Sequence, residues 1–287
     1  SILLSRMLTR KISTLLTAIR KVRAGAYEHR THISGRDEIA QIGEEFNSLT
    51  DRLQTTETLR RRFVSDASHE LKTPLAAIRL LTDSILQTDQ MDMETVRDFV
   101  TDIGSEAERL SRITEDLLRL TRLDSDLLDA PETVEVAPVL EQVMRMMSLL
   151  AQEKGTELTY RMEENCRVSA TKGEVHQVIY NLTDNAVKYS GKNGKVRVEL
   201  RHEDHDVVLT VADNGPGIPE EDLPKVFERF YRVDKARSRA AGGTGLGLSI
   251  VQDTVKKRGG TVSAANRPNG GAVFTVRWPE AEGGDRS

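Results

Sequence analysis

The run SDASHELKTPL, residues 65–75, places a histidine, a carboxylate and a hydroxyl inside a helical pattern. Ala67, Leu71, Leu75 and Ile78 recur at spacings of three and four, which defines a buried face. His69 stands two positions past Ala67, about 200° around the helix, so it points away from that face. Glu70 is its neighbour, and Thr73 lies one turn further along the exposed side. An imidazole beside a carboxylate can act as a nucleophile: the carboxylate takes the ring proton while the other nitrogen attacks. The Thr73 hydroxyl could hold a water near whatever that nitrogen carries. Pro74 costs a helix about 3 kcal/mol, leaves the Glu70 carbonyl without its donor and bends the axis. A lone exposed histidine is most often a solvated surface residue, and His29, His32, His176, His202 and His205 are read that way. His69 is set apart by four motifs in the C-terminal half of the chain.

Those four stretches carry the chemistry of a bound nucleotide. In NLTDNAVKYS, residues 181–190, Asn181 and Asn185 share a helix face and Lys188 lies close to it. Amide oxygens suit a Mg²⁺ that keeps several waters, and a lysine suits a phosphate. In VADNGPGIP, residues 211–219, Asp213 ends a strand and meets a turn with Gly215 and Gly217. A carboxylate there can accept from an exocyclic amine such as that of adenine, and the glycines let backbone approach the ring. VFERFYRVD, residues 226–234, pairs aromatics with arginine. GGTGLGLSIV, residues 242–251, is a glycine-rich loop that runs into a helix, presenting backbone N–H groups and a positive dipole end to phosphate oxygens. The Arg-bearing stretch before it reads as a mobile lid. Taken singly, these pieces read as polar helix surface, a plain Asp-Asn-Gly turn or a weak G-x-G.

The elements that must hold these groups are legible in the periodicity. Leu8, Ile12, Leu15, Ile19 and Val22 form one heptad seam, and Ile39, Ile42, Phe46, Leu49 and Leu53 a second. Each is short, so a second copy is expected to bury them. The seam slips near residues 56–60, which changes coiled-coil winding locally. A helical pattern resumes from Val64 to Ile85, QTDQMD turns, and a second run extends from Val96 to Leu123, together an antiparallel hairpin. DSDLLDAPE, residues 124–132, reads as a linker. Beyond it ELTYRM, KVRVEL, DVVLTVAD, TVSAAN and AVFTVRW read as strands, with helices near 138–153, 173–189 and 246–258. This is an α+β domain with a mainly antiparallel sheet. The last residues, 280–287, read as a disordered tail.

Bulk composition sets outer limits. The 287 residues suffice for two or three domains, with 30% charged residues and only 4% aromatics suiting long exposed helices beside a small globular part. A net charge of −4 gives no argument for nucleic-acid binding. The single cysteine, Cys166, excludes an intrachain disulfide and reads as a small filler residue. No apolar run approaches the roughly 20 residues that span a bilayer.

Together the motifs resemble those of bacterial two-component sensor histidine kinases. SHELKTPL resembles the H box, NLTDNAVKYS the N box, DNGPGIP the G1 box, VFERFYR the F box and GTGLGL the G2 box, in the family's order over residues 60–278. Residues 1–54 resemble a HAMP signal-relay domain, with GRDEIAQIGEEFNSL a good match and Glu38 at the acidic position; TRKIST lacks the proline usual near the first helix. The resemblance implies a multi-domain chain: an all-α HAMP region over 1–54, a helical-hairpin dimerisation and phosphotransfer domain over 55–127, and an α/β-sandwich ATP-binding domain of the Bergerat type over 131–279. It implies a homodimer whose hairpins form a four-helix bundle. It also implies ATP and Mg²⁺ as cofactors, with Asn185 and Asn181 at the metal, Lys188 near phosphate and Asp213 at adenine. Tyr189, Gly215, Gly217, Ile218, Phe230, Arg232, Gly243, Thr244, Gly245, Leu246 and Gly247 complete the expected nucleotide site.

His69 is then the nucleophile that takes the γ-phosphoryl group, Glu70 its base, and an Asp of a response regulator receiver domain the next acceptor. Thr73 matches the position that supports dephosphorylation of that regulator, which makes the chain a bifunctional kinase and phosphatase. In such proteins a transmembrane helix precedes the HAMP domain, so SILLS is expected at its cytoplasmic end and the chain on the cytoplasmic side of a membrane. Pro74 and the slip at 56–60 are the expected elements of signal transmission. A different ATPase on the same fold would lack the His-Glu-x-x-Thr hairpin, and a silent relay would show broken N or G boxes; the sequence shows neither feature.

Overall fold

A computed structural model describes residues 2–35, 37–88, 91–123, 130–191, 193–234 and 243–281. Two compact units divide the chain, Ser1–His69 and Glu70–Ser287.

The first unit begins with α1, Ile2–Arg23, whose last turn carries Arg20, Lys21 and Arg23 where the helix dipole favours cations. A connector leads to α2, which starts at Glu38 and runs unbroken to Gln87. Asp37 accepts from the Ala40 N–H at 3.0 Å, which satisfies an orphan donor at the helix start. Lys11 pairs with the same carboxylate at 2.7 Å and, by that hydrogen bond, holds its pKa below the usual range. The Asn47 side chain clamps Thr31 on both sides, accepting from its N–H and donating to its carbonyl, each at 2.9 Å. Ala18, Val22, Ala40 and Thr50 are buried. Most of the heptad seam is not: Ile12, Ile19, Ile42 and Leu49 are 42–58% exposed on the single chain.

The expected slip at 56–60 does not interrupt α2, and Pro74 lies within it. Residues 88–92 separate α2 from α3, Met93–Leu123, close to the expected turn. Asp92 caps α3, accepting from both the backbone and the hydroxyl of Thr95 at 2.8 Å. Arg109, Ile113 and Leu120 form its buried face. Most of the expected linker, residues 124–129, lies outside the described residues.

Next come β1, Glu132–Glu135; α4, Val136–Glu153; β2, Glu157–Met162; β3, Arg167–Ala170; and α5, Lys172–Tyr189. They are followed by β4, Lys195–Glu203; β5, Asp206–Asp213; a short 3₁₀ turn, Leu223–Lys225; α6, Gly247–Lys257; β6, Thr261–Asn266; and β7, Ala272–Pro279. The main sheet has the order β2-β4-β5-β7-β6, with only the β2–β4 pair parallel. Helices α4, α5 and α6 are the three expected from the pattern. The five expected strands are β2, β4, β5, β6 and β7. A small β1–β3 sheet was not expected, because four-residue strands carry too little alternation to register and β1 begins in the stretch read as linker.

Strand alternation makes the layer. Val207, Leu209 and Val211 of β5 and Phe274, Val276 and Trp278 of β7 are buried in one core with α4 and α5 residues such as Leu140, Met144, Ile179 and Leu182. A complete capping box starts α5: Thr171 accepts from the Glu174 N–H, and Glu174 accepts from the Thr171 N–H. Glu280 and Ala281 are hydrogen-bonded to the carbonyls of His205 and Arg167; the rest of the expected tail, 282–287, lies outside the described residues. Among the described residues no helix is long and apolar enough to cross a membrane.

Candidate functional site

The second unit contains a cavity of about 360 Å³, in the size range of small-molecule sites. Its floor is the end of β5. The buried Asp213 carboxylate directs Oδ1 at two backbone donors, Gly215 N–H at 2.8 Å and Ala272 N–H at 3.3 Å. Oδ2 has no hydrogen-bond partner among the described residues. Burial pushes the Asp213 pKa up, and the two N–H groups pull it back in part. Gly217, with φ +75°, and Ile218 continue the lining. Within this loop Asn214 accepts from the Lys195 N–H at 2.6 Å and donates to the Asn193 carbonyl at 3.4 Å.

One face of α5 supplies Asn181, Asn185, Lys188 and Tyr189 to the cavity, as the four-residue spacing predicted. Their engagements differ. Asn181 accepts from Gln177 at 2.8 Å and donates to the Gly247 carbonyl at 3.1 Å, so it ties α5 to the start of α6. Lys188 is held by Asp184 at 2.6 Å. Asn185 has no side-chain partner among the described residues, which leaves its amide oxygen open to a cation of the kind that takes oxygen ligands.

The glycine-rich loop brings Gly243, Thr244, Gly245 and Gly247 to the cavity. Gly245, at φ +74°, lies against the backbone of Phe230, where an added Cβ would come within 3.0 Å of Phe230 Cα. The Phe230 N–H donates to the Gly245 carbonyl at 2.9 Å. Phe230 itself adopts φ +62°, unusual for an aromatic residue. The expected lid contributes Val226, Tyr231, Arg232, Val233 and Asp234 to the lining; 235–242 lie outside the described residues.

Three of the residues expected at the nucleotide do not line the cavity. Leu246, the residue at the N-cap of α6, is fully buried. Gly215 is used for its lack of a side chain, its backbone lying against the Tyr189 carbonyl. Phe230 supports the glycine-rich loop from behind through the contacts above.

Sequence reasoning missed the wall built by α3. Arg112, Glu115, Asp116 and Arg119 line the cavity. The Thr244 hydroxyl donates to Asp116 at 2.8 Å, Arg119 bonds Gln177, and Lys257 donates to the Leu123 carbonyl at 2.9 Å. Burial pushes the Asp116 pKa up, opposed by the Thr244 hydrogen bond and by Arg119. Arg109 is also new: its buried guanidinium donates to Glu70 at 3.0 Å, and the buried Arg232 approaches the same carboxylate at 3.7 Å. The one available signal was its spacing, an arginine four residues before the buried Ile113. On α2, His69 and Thr73 are exposed, in agreement with the helical phase. Leu75, expected on the buried face, is 61% exposed while Pro74 is buried, since the apolar pattern describes a face that the single chain does not cover.

A two-layer α/β sandwich with an acidic floor, an amide-bearing helix and a glycine-rich loop defines a nucleotide-binding module joined to a helical hairpin. Residues 170–282 match the family of histidine kinase-, DNA gyrase B- and HSP90-like ATPases. Residues 59–126 match the His kinase A phospho-acceptor domain, and residues 3–55 the HAMP domain. The chain is 32% identical, over 96% of its length and 59% of the relative's, to the signal transduction histidine-protein kinase BaeS of Escherichia coli. It is 30% identical to ArlS of Staphylococcus aureus, over 96% of this chain and 61% of that one. Among solved structures it resembles full-length ShkA in complex with AMPPNP, at 28% identity and a TM-score of 0.57, over 80% of this chain and 47% of that one. The chain belongs to the two-component sensor histidine kinases. It spans about three fifths of the length of these curated relatives.

Proposed function

We propose that the chain binds ATP in the second-unit cavity, phosphorylates His69 and passes the phosphoryl group to an Asp of a response regulator receiver domain. The observation that carries this reading is Asp213: one carboxylate oxygen is tied down by two backbone N–H groups and the other faces the cavity without a protein partner. That arrangement suits an exocyclic amine donor such as adenine's. The AMPPNP complex of ShkA supports a nucleotide in this class of cavity. Gly243, Thr244, Gly245 and Gly247 would face the phosphates, with Lys188 beside them. Asn185, with Asn181 behind it, would hold Mg²⁺, which when bound neutralises phosphate charge.

In the transfer, a ring nitrogen of His69 attacks the γ-phosphorus, the bond to the β-phosphate oxygen breaks and ADP leaves. The ring proton goes to Glu70. Because Glu70 is engaged by Arg109 and Arg232, proton acceptance requires at least one of them to turn away. Catalysis here is mostly positioning and charge neutralisation. Thr73 would hold the water that dephosphorylates the regulator, making the chain bifunctional. The open seams at Ile12, Ile19, Ile42 and Leu49 support a homodimer. Residues 1–54, 55–127 and 131–279 would serve as relay, phosphotransfer and ATP-binding domains, on the cytoplasmic side of a membrane reached through an upstream segment.

The test is transfer from γ-labelled ATP to the purified chain beside His69→Gln. Acid-labile, base-stable label that disappears in the variant is expected. Label that persists in His69→Gln would overturn the assignment of the nucleophile. Thr73→Ala should lower dephosphorylation of a regulator in vitro while leaving the label on His69; unchanged dephosphorylation would remove the second activity.

A further inference from the structure

The turn between β6 and β7 lies outside every motif that marks the nucleotide site, yet it grips the adenine loop at both ends. At the far end, Asn266 accepts from the Ile218 N–H at 2.8 Å and donates to the Ile218 carbonyl at 2.6 Å. One side-chain amide thus makes the two bonds that a neighbouring strand would make. At the near end, Arg267 donates through Nη1 to the Asp213 carbonyl at 2.7 Å. The Ala272 N–H, just past the turn, reaches Asp213 Oδ1. The turn is itself closed: Arg267 N–H donates to the Gly271 carbonyl at 2.9 Å, and Gly270 N–H to the Arg267 carbonyl at 3.1 Å. It also sits close, since a Cβ on Gly217 would fall 2.9 Å from Asn266 Oδ1 and one on Gly271 would strike the Asp213 carbonyl.

Asp213 and Ile218 both line the cavity; Asn266 and Arg267 do not. Residues 214–218, beyond the end of β5, otherwise form an irregular loop with two glycines, whose backbone has few means of holding one position. A carboxylate that reads an exocyclic amine must be placed within a few tenths of an ångström, because the hydrogen bond weakens steeply with distance and angle. We infer that Asn266 and Arg267 are positioning residues that set the discrimination of this site for adenine over purines lacking the exocyclic amine. The inference rests on the ATP reading above and deepens it.

Inosine triphosphate is the probe, since it carries an oxygen where ATP carries the amine. The experiment is calorimetric titration of ATP and of inosine triphosphate into the whole chain, Asn266→Ala, Arg267→Ala and Arg267→Lys. Asn266→Ala removes two amide bonds to the Ile218 backbone and Arg267→Ala a charge-assisted bond to the Asp213 carbonyl, so each alanine variant should weaken ATP about tenfold and inosine triphosphate less than about twofold. Arg267→Lys keeps one donor and should recover most of the ratio. Equal weakening of both nucleotides would mean a merely structural role and would overturn the inference, as would unchanged ATP affinity in both alanine variants. A wild-type chain that binds both nucleotides equally would overturn the Asp213 reading and the inference with it. One that binds neither would overturn the ATP reading itself.

Discussion

Thr244 of the glycine-rich loop donates its hydroxyl to Asp116 of α3 at 2.8 Å, across 128 positions of sequence. The contact places a carboxylate in the wall of the cavity proposed to hold ATP, and it occupies the hydroxyl of the glycine-rich loop.

Asp116→Asn should therefore tighten ATP. A carboxylate repels phosphate oxygens, whereas an amide keeps an acceptor for Thr244 and drops the charge. At an effective dielectric near 20 and with solvent screening, the gain should be about five- to tenfold in affinity. The pH dependence has a definite sign. Burial raises the Asp116 pKa above 3.8, so ionised Asp116 costs the fold stability at neutral pH, and that cost is absent below 3.8. Melting temperatures of wild type and variant should then differ most at neutral pH, with the variant higher, and converge as pH falls through the raised pKa.

Gly271→Ala tests how closely the β6–β7 turn approaches the site. Gly271 has φ +89°, and its Cβ would run into the Asp213 backbone carbonyl. Neither backbone can yield cheaply, so a loss of about 2–4 kcal/mol is expected. Thermal melting together with ATP titration should show lower stability and lost binding; a variant that melts and binds like wild type would contradict the packing described.

Arg258→Ala tests the anchor between two helices. Arg258 lies just past α6 and grips Glu174 in the first turn of α5 with two bonds, at 3.0 and 2.8 Å. Both side chains are nearly buried, at 10% and 12% exposure. Removing the arginine leaves a largely buried carboxylate that the Thr171 N–H alone cannot compensate, costing about 2–4 kcal/mol. Urea unfolding should show a lower midpoint with little change in slope.

Leu75→Asp tests the homodimer. Leu75 and Leu80 are 61% and 68% exposed on the single chain, on a helix whose apolar spacing calls for a partner. Sedimentation of the wild type should give twice the 32.0 kDa chain mass, and the variant should shift toward the single chain. A variant that remains fully dimeric would place the interface elsewhere.

Short-range information was enough for much of this protein. Spacings of three and four located α2 and α3, alternation located β4, β5 and β7, and the glycine-rich run marked the start of α6. Asn181, Asn185, Lys188 and Asp213 could be named because helix phase and a strand end alone bring them to one side. What packing decided could not be read this way. Arg109 reaches Glu70 across 39 positions, Arg267 reaches Asp213 across 54, and Thr244 reaches Asp116 across 128. Leu246 sits inside the G2 run and yet is fully buried, because the way α6 packs decides where its N-cap residue points. The sequence by itself determined the elements, their order and the chemical types delivered to the site, since these depend on torsional preference and periodicity over a few residues. Only the tertiary structure decided which helix walls the cavity and which turn braces its floor, since those contacts depend on how closely whole layers pack.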